Sequence, residues 1–373
     1  MKKVVCLFCT LLVLTACSSQ SKTLQVTVEN PSDFDRTSDL VEVPLVQIES
    51  SLHLQDGQVY EVTNSQKEII PSQLTSDAKL LFQSGLKARE KAVFTIGVGA
   101  GQAFEPKTTG RFVRERFDDF AWENDRVAFR IYGHALIEKD GPSNGLDIWY
   151  KRTSEMFMDK RYQDEIDGIA SYHNDNGQGL DDYNVRRSLG AGAMAPYVGE
   201  TLWLNENFIA QELVDKGPLR TTFKLTYKDI EVDGKAFSES RTFSIDAGSQ
   251  LTKVTQEYGT TEAILVAAGI VKRESGDSII ADPDKYYVEY LEPKTNKVDG
   301  IYIGIVFPQA ADNILTDDGH VLAVTTYKPG RAVVYYTGYG WNKYGFTDAA
   351  DFQKYLANFA KALNAPLIIS VCR

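Results

Sequence analysis

Leu24-Gln25-Val26-Thr27-Val28 alternates apolar and polar side chains, the two-residue period of a strand with one buried face. The pattern extends outward. Val41-Glu42-Val43-Pro44-Leu45 alternates in the same way, residues 92–98 are apolar and β-branched, and residues 220–228, 241–245, 250–258 and 321–326 carry the theme through the second half. Asp56-Gly57, Asp140-Gly141, Asn144-Gly145, Asp233-Gly234 and Asp318-Gly319 punctuate these runs, and such dipeptides close tight hairpins between antiparallel neighbours. The expected fold is mostly β, a large antiparallel β-sandwich whose sheets pack face to face. Two stretches depart from this. Phe352, Tyr355, Leu356, Phe359, Ala360 and Leu363 recur at spacings of three and four, which predicts a C-terminal amphipathic helix over 347–364, with Asp348 suited to its start and Pro366 to its end. Residues 201–214 are read as a second helix. Gly97-Val98-Gly99-Ala100-Gly101 lacks the Lys-Ser/Thr of a phosphate loop and reads as a strand end or turn.

The chain has 373 residues with 43% hydrophobic and 11% aromatic content, enough to bury a large core in one domain or two intimately packed ones. At its start, Lys2 and Lys3 precede an apolar run over 4–14 that falls short of the roughly 20 residues of a membrane span. Leu14-Thr15-Ala16-Cys17 follows, a lipoprotein cleavage box. The expectation is a signal peptide over 1–17, lipidation of Cys17, and a short polar tether over 18–23. Ser18 in place of Asp disfavours retention at the inner membrane, so the outer membrane, periplasm-facing, is expected. Loss of Lys2 and Lys3 with the leader takes the formal charge from −11 to −13. With no Lys/Arg cluster, nucleic acid is excluded as a partner, because phosphate binding needs a concentrated basic surface. Cys6 and Cys9 leave with the leader, so Cys372 is the one free thiol and no intrachain disulfide is expected.

Three clusters could carry chemistry. The densest is Tyr172-His173-Asn174-Asp175-Asn176-Gly177-Gln178-Gly179-Leu180-Asp181-Asp182-Tyr183, followed by Arg186 and Arg187. It places a base, acceptors, a phenol and fixed cations in one loop, with glycines that permit close approach. The small-residue run Gly190-Ala191-Gly192-Ala193-Met194-Ala195-Pro196 then offers a segment able to skirt a ligand. The second cluster reads as strands, with Arg130, Tyr132 and His134 on one face and Asp147, Trp149 and Lys151 on another, the alternation of rings and polar groups that a sugar site uses. The third is Tyr335-Tyr336-Thr337-Gly338-Tyr339-Gly340-Trp341-Asn342-Lys343-Tyr344-Gly345-Phe346, either a stacking surface built on Trp341 with Lys343 completing a pocket, or a core corner. No cofactor motif and no metal motif is present. Asp175 and Asp181 lack the EF-hand period, although loop oxygens are also compatible with a divalent cation such as calcium.

The 172–183 loop, Asn144-Gly145-Leu146-Asp147-Ile148-Trp149-Tyr150-Lys151-Arg152 and Gly338-Tyr339-Gly340-Trp341 together resemble a domain-of-unknown-function family of bacterial lipoproteins and secreted proteins found with polysaccharide-utilisation systems. The resemblance covers residues 24–371. It implies a galactose-mutarotase-like β-supersandwich, formed as a single domain over 24–373, and a dehydratase or lyase action on uronic-acid-containing oligosaccharides. Where the family pattern carries a Gly-Cys-Gly-Gly-like run after the loop, this chain has Gly190-Ala191-Gly192-Ala193, which rules out a cysteine role there. The chemistry so implied removes the C5 proton of a uronate and expels the C4 oxygen. It needs a cation for the carboxylate, a base and an acid. Arg130, Arg186 or Arg187 would hold the carboxylate, His173 or His134 would be the base, Tyr183 the acid, and Asp175 and Asp181 would orient the histidine or hold sugar hydroxyls. Asp147, Trp149, Trp341 and Lys343 would complete substrate binding. Competing expectations are a non-catalytic glycan-binding lipoprotein, a sugar mutarotase or epimerase using Glu257 against His134 or His173, and a structural envelope protein.

Overall fold

The computed structural model describes residues 23–317 and 319–372. The leader, the lipidation site Cys17, the tether up to residue 22 and Asp318 lie outside the described residues. Alternation becomes an eight-stranded antiparallel sheet in the order Ala210–Lys216, Arg220–Thr226, Glu239–Asp246, Leu251–Tyr258, Val333–Trp341, Ile301–Val306, Tyr287–Leu291 and Ser278–Ala281. Two five-stranded antiparallel sheets cover its inner face. One runs from Gly179–Leu180 through Asp147–Lys151, Ala128–Ile131 and Asp119–Asn124 to Thr108–Val113; the other is built around Ala191–Val198, Ile264–Val271 and His320–Tyr327. A parallel bridge between Leu146 and Gly190 joins the two. The shared core is aromatic at its centre. Phe120 stacks on Phe223 at 3.9 Å and Trp122 on Phe129 at 5.4 Å, contacts that each contribute about 0.5–1.5 kcal/mol beyond their buried area.

The small residues of the 190–196 run serve this packing. Gly192 has φ +114°, and a Cβ there would lie 2.0 Å from the Thr337 hydroxyl, so strand Ala191–Val198 approaches the large sheet closely only as glycine. The third cluster is a core corner. Strand Val333–Trp341 lies inside the large sheet, with Tyr335, Tyr339 and Trp341 buried.

The C-terminal helix is Ala349–Asn364, with Asp348 as its N-cap accepting from Asp351 N at 3.0 Å. It lays Phe352, Leu356 and Ala360 on the outer face of the large sheet. Beneath it Glu289 is fully buried with both carboxylate oxygens unpartnered, and burial pushes its pKa up to about 8. Residues 201–214 are not a helix. They form strand Thr201–Leu202 and most of Ala210–Lys216, an edge strand whose exposure on both faces removes the alternation a sequence reading needs. Asp140-Gly141 is likewise a helix end, Gly141 at φ +76° closing Ile137–Asp140, whereas Asp233-Gly234 makes the expected hairpin with both residues left-handed.

Residues 23–99 build a smaller sandwich with its own apolar cluster, including Val26, Val41, Phe82 and Ile96. Strand Ile368–Cys372 returns to pair with Leu24–Glu29. The smaller sandwich is fastened to the large sheet by Gln73, which accepts from Leu219 N and Arg220 N, and by Arg220 between Glu42 and Asp246.

His320 offers a test of the core around the 172–190 segment. Its Nε2 accepts from Leu189 N at 3.1 Å, which requires the neutral ring, and burial lowers its pKa below the ordinary 6.5. The unfolded chain therefore binds the proton first. Stability from this group is complete above pH 6.5 and is lost as the pH falls below it. The drop in Tm between about pH 7.5 and about pH 5.5 is expected to shrink in His320→Gln. An identical drop in both proteins would contradict it.

Candidate active site

In the sheet that contains Asp147–Lys151, alternation sends Phe120, Trp122, Phe129, Ile131, Ile148 and Tyr150 into the core. The opposite set, Asp119, Glu123, Arg130, Asp147, Trp149 and Lys151, would face water in an ordinary sandwich. Here it is buried under helix Met158–Ile166 and the segment 167–183, with each of these residues at most 2% exposed. Sequence reading missed that helix, and its placement explains why. Phe157 N and Met158 N both donate to Glu123 Oε1 at 2.9 Å, and Glu123 is in turn ion-paired with Lys151. A carboxylate distant in sequence thus supplies the negative charge at the helix start.

Arg130 is the centre of the buried group. It lies directly across the strand pair from Asp147. Its Nε donates to Asp147 Oδ2 at 2.7 Å and its Nη2 to Asp181 Oδ2 at 2.7 Å, while Asp119 Oδ2 is 3.9 Å away. The guanidinium sits 5.0 Å from the Tyr132 ring centre and 5.2 Å from that of Trp149. The Tyr132 hydroxyl donates to Asp147 Oδ2 at 3.3 Å. Arg116 adds a second cation, 3.8 Å from Asp119 and donating to the Tyr172 hydroxyl at 3.2 Å. His173, 54% exposed, stands on the solvent side of the group. Its Nδ1 lies 2.9 Å from the Asp181 carbonyl, which can only accept; Nδ1 therefore carries the proton and Nε2 is free as a base.

Three carboxylates face two guanidinium groups here, out of water. Burial first, then the charges of Asp181 and Asp119, outweigh Arg130 and push the Asp147 pKa up to about 7. Asp119 rises to about 6 for the same leading reason, against the pull of Arg130 and Arg116. Burial and the Asp147 charge raise the Tyr132 phenol as well. Burial opposes the charge of Arg130, but Asp147 and Asp181 more than offset it and raise its pKa well above the ordinary value. The group therefore holds a proton near neutral pH. Asp119 Oδ2, Asp147 Oδ1, Arg130 Nη1, Arg116 Nη1, Trp149 Nε1 and the Tyr162 hydroxyl are buried without a hydrogen-bond partner. So many unmet polar atoms in one place mark a site organised for something other than stability. Among the described residues no three His, Cys, Asp or Glu side chains are arranged to hold a metal ion.

The turn that leads into Asp119 is strained. Phe117 and Asp118 are consecutive non-glycine residues at φ +50° and +61°. They lie against Gly133, where a Cβ would be 1.9 Å from the Asp118 carbonyl oxygen. Gly133→Ala is expected to cost about 1–3 kcal/mol in denaturant unfolding. Unchanged stability would show that the contact is loose.

Of the residues singled out from sequence, Arg130, Asp147, Trp149, Asp181 and His173 are brought together. The others lie apart. His134 is not in the strand, which ends at Ile131; it opens the 3-10 turn His134–Leu136, with Nδ1 buried and unpartnered. Tyr183 is buried with an unpartnered hydroxyl beneath Arg273, whose guanidinium is 4.8 Å from its ring centre. Asp175 shapes the loop, accepting from Gly177 N and Gly179 N and pairing with Arg152 at 2.8 Å. Arg187 donates to the carbonyls of Leu204 and Asn205. Arg186 lines a separate cleft. Trp341 donates to the Asp299 carbonyl inside the core, and Lys343 is exposed 5.2 Å from its ring centre. Glu257 is on the outer side of the large sheet beside Lys224, not across from either histidine. Asp119 and Arg116 were absent from the sequence-based assignment, and Tyr132 stood in it only as a neighbour of Arg130 on one strand face. The spacing of Asp119 and Glu123 on one strand face, between aromatic residues of the other face, is the signal that could have found the first.

A β-sandwich with a buried, proton-holding acid–base group under a polar loop is the class that fold and site define. The chain belongs to the family described as Domain of unknown function (DUF4861), whose model matches residues 28–369. It is 28% identical to Uncharacterized protein P7 of Formosa agariphila, over 96% of each chain. Among solved structures it is similar to a protein in glycosyl hydrolase family 38 from Enterococcus faecalis (TM-score 0.54, 8% identity, 94% of this chain and 47% of that one). An alpha-mannosidase from Enterococcus faecalis V583 is less similar (TM-score 0.48, 9% identity, 94% and 46%). The chain spans about half the length of these two, and the first likeness is one of fold.

Proposed function

We propose that the protein acts on uronic-acid-containing oligosaccharides by β-elimination. The observation that carries this reading is the Arg130 group, whose proton affinity lies in the neutral range beside an exposed histidine with a free Nε2. Support for a sugar comes from the fold shared with a protein in a glycosyl hydrolase family and from the partly exposed ring of Tyr132 over Arg130.

In the proposed reaction His173 Nε2 takes the C5 proton and the electron pair forms the C4–C5 double bond. The C4–O bond breaks, and the departing oxygen takes the Tyr132 proton, which Asp147 then replaces. Arg116, whose side chain is 23% exposed, would neutralise the uronate carboxylate that acidifies C5. Tyr132 thus takes the acid role first given to Tyr183, which is outside the group. The chemistry calls for no cofactor, since the guanidinium groups supply the positive charge. Residues 14–17 support lipid anchoring, and Ser18 in place of Asp supports the outer membrane, facing the periplasm.

Incubation with uronic-acid oligosaccharides is expected to yield a product lighter by one water or a cleaved chain with an unsaturated end, read by mass spectrometry. Recovery of unchanged, tightly bound oligosaccharide would instead make the protein a glycan binder. Because Asp147 must hold its proton, kcat is expected to fall as the pH rises through about 7, and Asp147→Asn should lose that limb along with most of its turnover. A variant with the wild-type profile would remove Asp147 from the proton path.

A further inference from the structure

The segment that covers the Arg130 group has a second side. Asp181 points into the group, while its neighbour Asp182 lines a cleft of about 430 Å3 together with Tyr150, Arg186, Arg273 and Glu292. That volume lies at the lower end of the roughly 300–1,000 Å3 typical of small-molecule sites. Lys297 spans the boundary: its Nζ donates to the His173 carbonyl at 3.1 Å and lies 3.7 Å from Asp182. A ligand reaching over this rim touches both places.

Part of the charge of the cleft is met internally. Arg273 grips Glu292 with Nε at 3.0 Å and Nη2 at 2.6 Å, and its Nη1 donates to the Asn184 carbonyl at 2.8 Å. Asp182 accepts from the Thr295 hydroxyl at 3.2 Å and faces Lys297. Asp182, Glu274, Glu292 and Asp299 outnumber Arg186, Lys272 and Arg273 in the lining, so the cleft offers no net positive field to a phosphate or a second carboxylate. Donors and acceptors alternate instead, which suits groups that both give and take hydrogen bonds. Tyr150 reaches the lining with only 4% exposure, and its hydroxyl has no hydrogen-bond partner among the described residues. A polar group so placed costs stability unless a partner meets it.

We propose that this cleft is a second sugar subsite, holding a neutral, hydroxyl-bearing unit joined to the uronate that sits at His173. The substrate is then a mixed acidic and neutral oligosaccharide and not a run of uronates. This rests on the reading of the Arg130 group as the uronate site, and binding separates the two. The probes are aldobiouronic and aldotriouronic acids, in which glucuronate is linked to xylose, against glucuronan di- and trisaccharides, followed by calorimetry and by ultraviolet absorbance of the unsaturated product. The mixed probes are expected to bind at least about tenfold more tightly than the homouronic ones of equal length, about 1.4 kcal/mol. Tyr150→Phe, which keeps the packed ring, and Arg186→Ala, at the rim, are each expected to remove most of that preference. Elimination by the wild type with no preference for mixed probes would overturn the subsite while leaving the elimination reading intact. Preference that depends on Tyr150 and Arg186, in the absence of product, would uphold the subsite and overturn the elimination.

Discussion

Arg130→Met is expected to destabilise the folded protein by about 3–5 kcal/mol, the cost of leaving buried charges without their partner. Asp147 and Asp181 are 0% and 2% exposed and both hydrogen-bond to this one guanidinium. With it gone they must take up protons or lose their burial. The sign with pH follows from the direction of the shift. The Asp147 pKa already stands near 7 when folded, above the ordinary 3.8, so the folded state binds the extra proton. Stability from this group is greatest below the unfolded value and falls as the pH rises through the folded one. Removal of Arg130 raises the folded pKa further, so the loss should be smallest in acid and grow toward neutrality. Asp147→Asn added to Arg130→Met should recover part of it. A single variant that loses less than about 1 kcal/mol at neutral pH would mean that water reaches the carboxylates, and that the group is not closed.

His173→Ala is expected to lower kcat by about 10²–10⁴-fold, the usual worth of a positioned general base, with stability changed by no more than about 0.5 kcal/mol. The contrast with Arg130 is what makes the result interpretable. The imidazole is 54% exposed and makes one hydrogen bond, to the Asp181 carbonyl. Its loss leaves the buried group intact. Tyr132→Phe should also reduce kcat, because it removes the proton donor and leaves the ring over Arg130 in place. Undiminished turnover in His173→Ala would take the base away from this residue, and the elimination would need another acceptor.

Much of the fold was legible because sheets that bury one face write a period of two into the chain. The C-terminal helix was legible for the same reason at its own period. Residues 201–214 were not, because a strand exposed on both faces carries no period, and only its pairing with Arg220–Thr226 defines it. Helix Met158–Ile166 was hidden differently. Its start is stabilised by Glu123, thirty-five residues before Met158, a contact that no local pattern encodes. In the site, Arg130 and Asp147 stood out because polar groups alternate with aromatic rings along their strands, and His173 and Asp181 because polar groups crowd one loop. Arg116 and Asp119 join them only through a left-handed turn folded against Gly133. Trp341, by contrast, shares its composition with sugar-stacking surfaces, and only burial distinguishes a core indole from a binding one.

The central claim is that the Arg130 group and His173 carry out elimination on a uronate. Ultraviolet absorbance of the C4–C5 unsaturated uronate, followed with wild type and His173→Ala on one panel of uronic-acid oligosaccharides, tests it most directly. A rising signal with the wild type and a nearly flat one with the variant is the expected result. A flat trace with both proteins, over oligosaccharides that calorimetry shows to be bound, would contradict it.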